Sequence, residues 1–292
     1  MENNLIISLA TYGERLKVVK QTLESLLKQL IQPTKYVINV PKDHYINAPE
    51  DLKEFINNNS IFELNLVEED LGPHNKYFTV FQKYKDYDII TVDDDYLYHC
   101  CLVQDLLAKH RQYPDVVIAR STHHLSYRDN KLLPQITWCY FCKVIPKPSY
   151  ELLAIGANGV YYPSEVIKKF NISEANIADI KNILYGDDIY LKYLEDKNDV
   201  KVCYAPCTCM DKSCHHCEEI SSTALYKDNV FGGRNDEYIK LFPCTKRDDD
   251  PENQKGIGIS QFKKNWAEIK RYQARKKAEE DAKKLNEIQT SE

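Results

Sequence analysis

Hydrophobic and polar positions follow two alternating periods along the first hundred residues. Leu5-Ile6-Ile7-Ser8-Leu9 is a short apolar run closed by Thr11-Tyr12-Gly13, the pattern of a buried strand and a turn. Over residues 15–30, Leu16, Val19, Leu23, Leu26, Leu27 and Leu30 recur at helical spacing, and Pro33 marks the stop. Residues 36–40 predict a second strand ended by Pro41, residues 51–56 a helix, and the alternation over 61–67 a third strand. Beyond Gly72-Pro73, the residues Tyr77, Val80, Phe81 and Tyr84 share one helical face. Residues 88–92 predict a fourth strand that runs straight into Asp93-Asp94-Asp95. Four strand–helix alternations predict a mostly parallel sheet covered on both faces. Ligands of such sheets bind beyond the carboxyl ends of the strands. The Thr11-Tyr12 turn and the aspartate run both lie at such ends.

The rest of the chain is less periodic. A helix over 102–110 and a strand over 115–119 are expected, then hairpins and loops from Ser121 to Tyr162, where Pro134, Pro146 and Pro148 interrupt the pattern. Gly186-Asp187-Asp188 precedes a helical stretch over 189–194, and residues 200–204 predict a late strand. A cysteine-rich loop follows. Residues 246–254 form a polar linker, and 261–288, with Phe262, Trp266, Ile269, Tyr272, Leu285 and Ile288 among many Lys and Glu, predict a long exposed amphipathic helix. No internal repeat of solenoid length is present. The expected organisation is one α/β domain over 1–245, with a nucleotide-binding half (1–97) and a less regular acceptor half (98–245), followed by the linker and helical extension (246–292).

Composition narrows the class. With 43% hydrophobic and 28% charged residues, the 292-residue chain is neither globally disordered nor collagen-like. A net charge of -5 and a pI near 6.0 argue against a nucleic-acid partner. Tyrosine outnumbers phenylalanine 21 to 9, which favours aromatic clefts with polar rims. No run approaches the roughly 20 apolar residues needed to span a bilayer. Met1-Glu2-Asn3-Asn4 lacks the basic start of a secretory leader. The expected location is therefore the cytoplasm, with the ten cysteines as thiols or metal ligands.

Three chemistries stand out. Carboxylates crowded at a strand end raise one another's pKa unless a cation relieves them. Their hard oxygens suit Mg²⁺ or Mn²⁺, which in turn would hold a diphosphate; the competing reading is a solvated acidic turn. Cys207, Cys209, Cys214 and Cys217, with His215 and His216 between them, form either a structural Zn²⁺ site or a loop of reduced thiols. The lysines of the tail, beside Phe262 and Trp266, belong either to a solvated helix or to a weak contact with an anionic membrane surface.

The segment Asp88-Ile89-Ile90-Thr91-Val92-Asp93-Asp94-Asp95 resembles the DxD segment of nucleotide-sugar glycosyltransferases of GT-A fold. Ser8 to Arg15 and Leu71 to Tyr77 are similar to the opening turn and the pre-DxD loop of family-two-like bacterial polysaccharide enzymes. Gly156-Ala157-Asn158-Gly159 is similar to their acceptor-side glycine loop, Gly186-Asp187-Asp188 to their base segment, and Asn229 with Gly233-Arg234-Asn235-Asp236 to a late motif. These segments occur in the family's order over residues 4–242. The resemblance implies a Rossmann-like GT-A domain and metal-dependent transfer of a sugar from a nucleoside diphosphate to a glycan or lipid-linked acceptor. It implies inversion, with Asp188 as general base and Asp187 as its alternate. It further implies a metal at Asp95 with Asp93, and a donor framed by Thr11, Tyr12, Arg15, Lys76, Asp93 and Asp94. Gly156, Asn158 and Gly159 would face the acceptor. A sugar nucleotidyltransferase is the second reading, although a single glycine in Thr11-Tyr12-Gly13 is a poor triphosphate grip. A non-enzymatic, zinc-organised interaction module is the third.

Overall fold

The computed structural model describes residues 4–129, 131–208, 218–219, 227–248 and 274. The apolar runs form Leu5–Ala10 (β1), Lys35–Pro41 (β2), Phe62–Val67 (β3) and Asp88–Thr91 (β4). Helices Val19–Leu26 (α1), Glu50–Asn57 (α2) and Phe78–Lys83 (α3) connect them. Leu102–Gln112 (α4), Val117–Ala119 (β5), Thr122–His124 (β6), Leu152–Ala154 (β7) and Val160–Tyr162 (β8) come next. Ser164–Phe170 (α5), Ile177–Asn182 (α6), Asp187–Lys197 (α7), Val202–Tyr204 (β9) and Arg234–Leu241 (α8) complete the architecture.

Seven strands form the central sheet in the order β9-β5-β8-β4-β1-β2-β3. All run the same way except β8, which is antiparallel to both β4 and β5. This is the mostly parallel α/β class expected from the sequence. Because successive strand residues point to opposite faces, β1 sends Leu5, Ile7 and Leu9 into one core and Ile6 into the other. Val19, Leu23 and Leu26 of α1, Leu52 and Ile56 of α2, and Leu102 and Leu106 of α4 cover the first face. Phe78 and Phe81 of α3, Val166 and Phe170 of α5, and Tyr190 and Leu194 of α7 cover the second. Burial on both faces explains why these strands read as continuous apolar runs.

Three expectations change. The helix expected over 15–30 divides into a 3₁₀ turn, Gly13–Lys17, and α1, which stops at Leu26. Leu30 donates its N–H to the Cys100 carbonyl instead of continuing the helix, and its side chain is exposed. Within the stretch expected as hairpins and loops, β6 and β7 do pair antiparallel, but Val160–Tyr162 joins the middle of the main sheet. Asp187 and Asp188 belong to the first turn of α7 rather than preceding it.

Cys209, Cys214 and Cys217, the histidines beside them and, apart from the helical Ala274, the expected tail helix lie outside the described residues, so the zinc and membrane-contact readings do as well. Cys207 is described, with its Sγ 4.0 Å from His99 Nε2. Among the described residues no helix is long and apolar enough to cross a membrane.

Candidate functional site

The carboxyl ends of β1 and β4 open into a cleft of about 190 Å³. Tyr12, Arg15, Lys76, all three residues Asp93 to Asp95, Asp187 and Asp188 line it. Residues more than 170 positions apart in the chain thus meet at one point, as the strand-end rule predicts.

Local structure fixes each group. The aspartate turn is tied to α1, where Thr22 donates its hydroxyl to the Asp94 carbonyl at 2.8 Å and Ser25 Oγ accepts the Tyr98 N–H at 2.9 Å. Tyr98 then staples the turn to the glycine loop. Its hydroxyl accepts the Asp93 N–H at 2.8 Å and donates to the Ala157 carbonyl at 2.6 Å. Ser8 of β1 donates to the Lys76 carbonyl at 2.6 Å, and Asn39 of β2 donates to Ser8 and to the Leu9 carbonyl. The turn carrying Lys76 is therefore pinned to the sheet from beneath.

Two cations pair with four of the five aspartates. The Arg15 guanidinium lies 2.6 Å from Asp94 and 3.2 Å from Asp95. Burial acts against its charge, but the two carboxylates outweigh burial and hold it firmly protonated. Lys76, nearly fully buried, lies 2.9 Å from Asp93 and 2.6 Å from Asp187. Burial again opposes the charge, and Asp187, Asp93 and Asp188 together raise the ammonium well above its ordinary value. Lys76 is a buried counter-ion, not a solvated surface lysine.

Asp187 and Asp188 are adjacent in sequence and opposite in character. Burial penalises the Asp187 carboxylate, yet Lys76 and His74 lower its pKa below the ordinary value. Burial and the Asp187 charge push Asp188 well above its ordinary value. Asp188 accepts the Gly156 N–H at 3.0 Å. Environments that drive two carboxyl groups apart mark acid–base assignments. His74 is a packing residue: it is fully buried, bonded to Tyr77 Oη and to the Ile183 carbonyl, and burial lowers it to about 4.

The two glycines serve different needs. A Cβ on Gly156 would sit 2.5 Å from Lys76 Nζ and 3.0 Å from Asp188 Oδ1, so the position requires close approach. Gly159 takes φ +96° and faces Leu102 in the core. Ala157 lines the cleft, whereas Gly156, Asn158 and Gly159 are not among its lining residues. Thr11 is buried at the end of β1, and the half-exposed Tyr12 ring lies 5.7 Å from the Arg15 guanidinium. Sequence reasoning missed His123 and Gln135, which also line the cleft. Neither sits in a motif, and only folding brings them to the site.

Oxygen donors of this kind suit a hard divalent cation. Among the described residues no three His, Cys, Asp or Glu side chains form a ready-made metal cage. Mg²⁺ commonly needs only one or two carboxylates with substrate phosphates completing its shell, and Asp93 and Asp95 both line the cleft.

No protein-family profile and no curated protein matches the chain. Solved structures do. S. aureus TarS 1-349 aligns with a TM-score of 0.48 at 14% identity, covering 89% of this chain and 71% of that one. Its complex with UDP aligns at 0.45 and 14%, covering 70% of this chain and 60% of that one. A CMP:2-keto-3-deoxy-manno-octonic acid synthetase complexed with CTP aligns at 0.44 and 11%, covering 80% and 99%. These likenesses concern the fold.

Proposed function

We propose that this protein is a glycosyltransferase that moves a sugar from a nucleoside diphosphate to a glycan or lipid-linked acceptor, with inversion. The observation that carries this reading is the split pair Asp187/Asp188, held by Lys76 against the aspartate turn in one cleft. Tyr12 stacks on the nucleotide base, with Arg15 beside it; Thr11, buried behind Tyr12, does not line the cleft. Lys76 and Asp93 orient the donor. Asp95, with Asp93, would hold Mg²⁺ or Mn²⁺, which when bound offsets charge on the departing diphosphate.

Asp188 takes the proton of the acceptor hydroxyl. The acceptor oxygen bonds to the anomeric carbon as the bond from that carbon to the diphosphate oxygen breaks, and the electron pair leaves with the diphosphate. The raised basicity of Asp188 strengthens it as a proton acceptor. The Gly156 N–H fixes one of its oxygens, leaving the other for the acceptor. Asp187 stays ionised and keeps Lys76 in place.

Thermal shift across a panel of nucleoside-diphosphate sugars, with and without Mn²⁺, tests the reading. Stabilisation by one donor that is lost in Asp95→Ala is expected. No shift with any donor, in folded protein supplied with metal, refutes it. Pyrophosphate release from a nucleoside triphosphate and a sugar 1-phosphate would instead identify a nucleotidyltransferase.

A further inference from the structure

The wall of the cleft formed by later elements carries buried polar atoms that neither the donor nor the base requires. His123 on β6, Gln135 in the Gln135–Thr137 turn and Asn235 in the first turn of α8 all line it. They are 7%, 3% and 7% exposed. Gln135 Oε1 and Asn235 Oδ1 have no hydrogen-bond partner among the described residues. Burying such oxygens unpaired costs stability, which a ligand hydroxyl would recover.

Their supports are fully engaged. Asp236 accepts the Gln135 N–H at 2.8 Å, and the Tyr140 hydroxyl donates to the Gln135 carbonyl at 2.9 Å. The Tyr140 ring meets His123 edge-on at 4.4 Å. The Phe141 N–H donates to His123 Nδ1 at 3.2 Å, which assigns the ring proton to Nε2. Burial lowers His123 to about 4, so the ring is neutral near pH 7. The wall thus offers two unpaired amide oxygens, with the amide N–H groups of Gln135 and Asn235 and the ring N–H of His123 as donors, without net charge, beside apolar Ile155, Ala157 and Val230. A sugar matches this set, since its hydroxyls both donate and accept and its C–H faces are apolar. The wall also adjoins the base. His123 pairs with Leu153 of β7, and β7 leads within two residues to Gly156, which is bonded to Asp188.

We propose that His123, Gln135 and Asn235 form the acceptor subsite and that the unit bound there is a neutral, polyhydroxylated sugar. The inference rests on the transferase reading of the cleft. An anionic unit is disfavoured because the carboxylates of the aspartate turn line the same cleft and the two free oxygens repel it.

The test is saturation-transfer NMR on the full chain with neutral methyl hexopyranosides, methyl N-acetylhexosaminides and a methyl uronate at millimolar concentration. Gln135→Met and Asn235→Leu are compared with the unaltered protein, and nucleoside-diphosphate binding is measured calorimetrically on the same samples. A neutral glycoside should bind and the uronate should not. Each substitution should weaken glycoside binding about tenfold, leave nucleotide affinity unchanged and leave Tm unchanged or raised, because no protein partner is lost. Three results overturn the proposal: no neutral glycoside binds, the uronate binds better, or both variants bind glycoside as before. Weakened nucleotide-sugar binding with intact glycoside binding would overturn it too, by moving the trio to the donor sugar. Glycoside binding that both substitutions abolish, in a protein that binds no nucleoside diphosphate, would instead refute the transferase reading and leave a sugar site.

Discussion

Asp188 is a buried carboxyl group whose cost and use can be separated. Burial and the neighbouring Asp187 raise its pKa well above 3.8 in the folded protein, so the folded state binds more protons than the unfolded state. Its stabilising contribution is present below the unfolded value and is lost as pH rises through the folded one. Asp188→Asn preserves the acceptor oxygen for the Gly156 N–H and removes the titration. The variant should therefore melt higher than the unaltered protein near pH 7, and the gain should vanish near pH 4 in a calorimetric series. Sugar transfer should fall by about 10² to 10⁴. Asp187 shows the opposite linkage, through its ion pair with Lys76. Lys76→Met leaves Asp93 and Asp187 without their buried counter-ion and should cost about 3–5 kcal/mol in denaturant titration at pH 7. Asp187 is depressed in the folded protein, so the stability it draws from Lys76 is lost as pH falls through its folded value. The deficit of Lys76→Met should accordingly narrow in acid.

Among the elements, the 3₁₀ turn Gly156–Asn158 packs against both Lys76 and Asp188. Gly156→Ala places a methyl group against the flexible end of Lys76 rather than against backbone. The fold should survive, with Tm little changed, while displacement of Lys76 and Asp188 should lower turnover at least about tenfold, since small misplacements of reacting groups are costly. Collapse of the fold instead would show the turn to be a folding element. The same turn marks where the sequence was readable. The strands β1 to β4 were legible because burial on both faces makes continuous apolar runs, and the aspartate turn was legible because it follows one of them. Of the two glycines, Gly156 is needed for close approach and Gly159 for positive φ. Strand β8 was not legible: three residues cannot display a period, and its partners lie about 40 and 70 positions away. For the same reason His123 and Gln135 carry no local signal. The pairing of β6 with β7 and the docking of Asp236 on Gln135 bring them to the cleft.

On the scale of the whole molecule, the cleft concentrates acidic charge that the chain itself neutralises only in part. Five aspartates line it against two cations, Arg15 and Lys76. A diphosphate entering this field adds further negative charge beside buried carboxylates, where like charges interact more strongly than in bulk solvent. The internal cations are already committed to ion pairs of 2.6 to 3.2 Å, so they can contact the ligand only by giving up part of that pairing. Binding of a nucleoside diphosphate should therefore depend on a divalent cation and weaken at least about tenfold in its absence, a loss of about 1.4 kcal/mol. Calorimetric titration with Mn²⁺ and with a chelator measures this, and Asp95→Asn separates two causes. If the cation bridges the carboxylates and the diphosphate, Asp95→Asn reproduces the effect of the chelator. If repulsion alone opposes the ligand, removing one negative charge improves metal-free binding, and Arg15 and Lys76 then suffice to hold the phosphates.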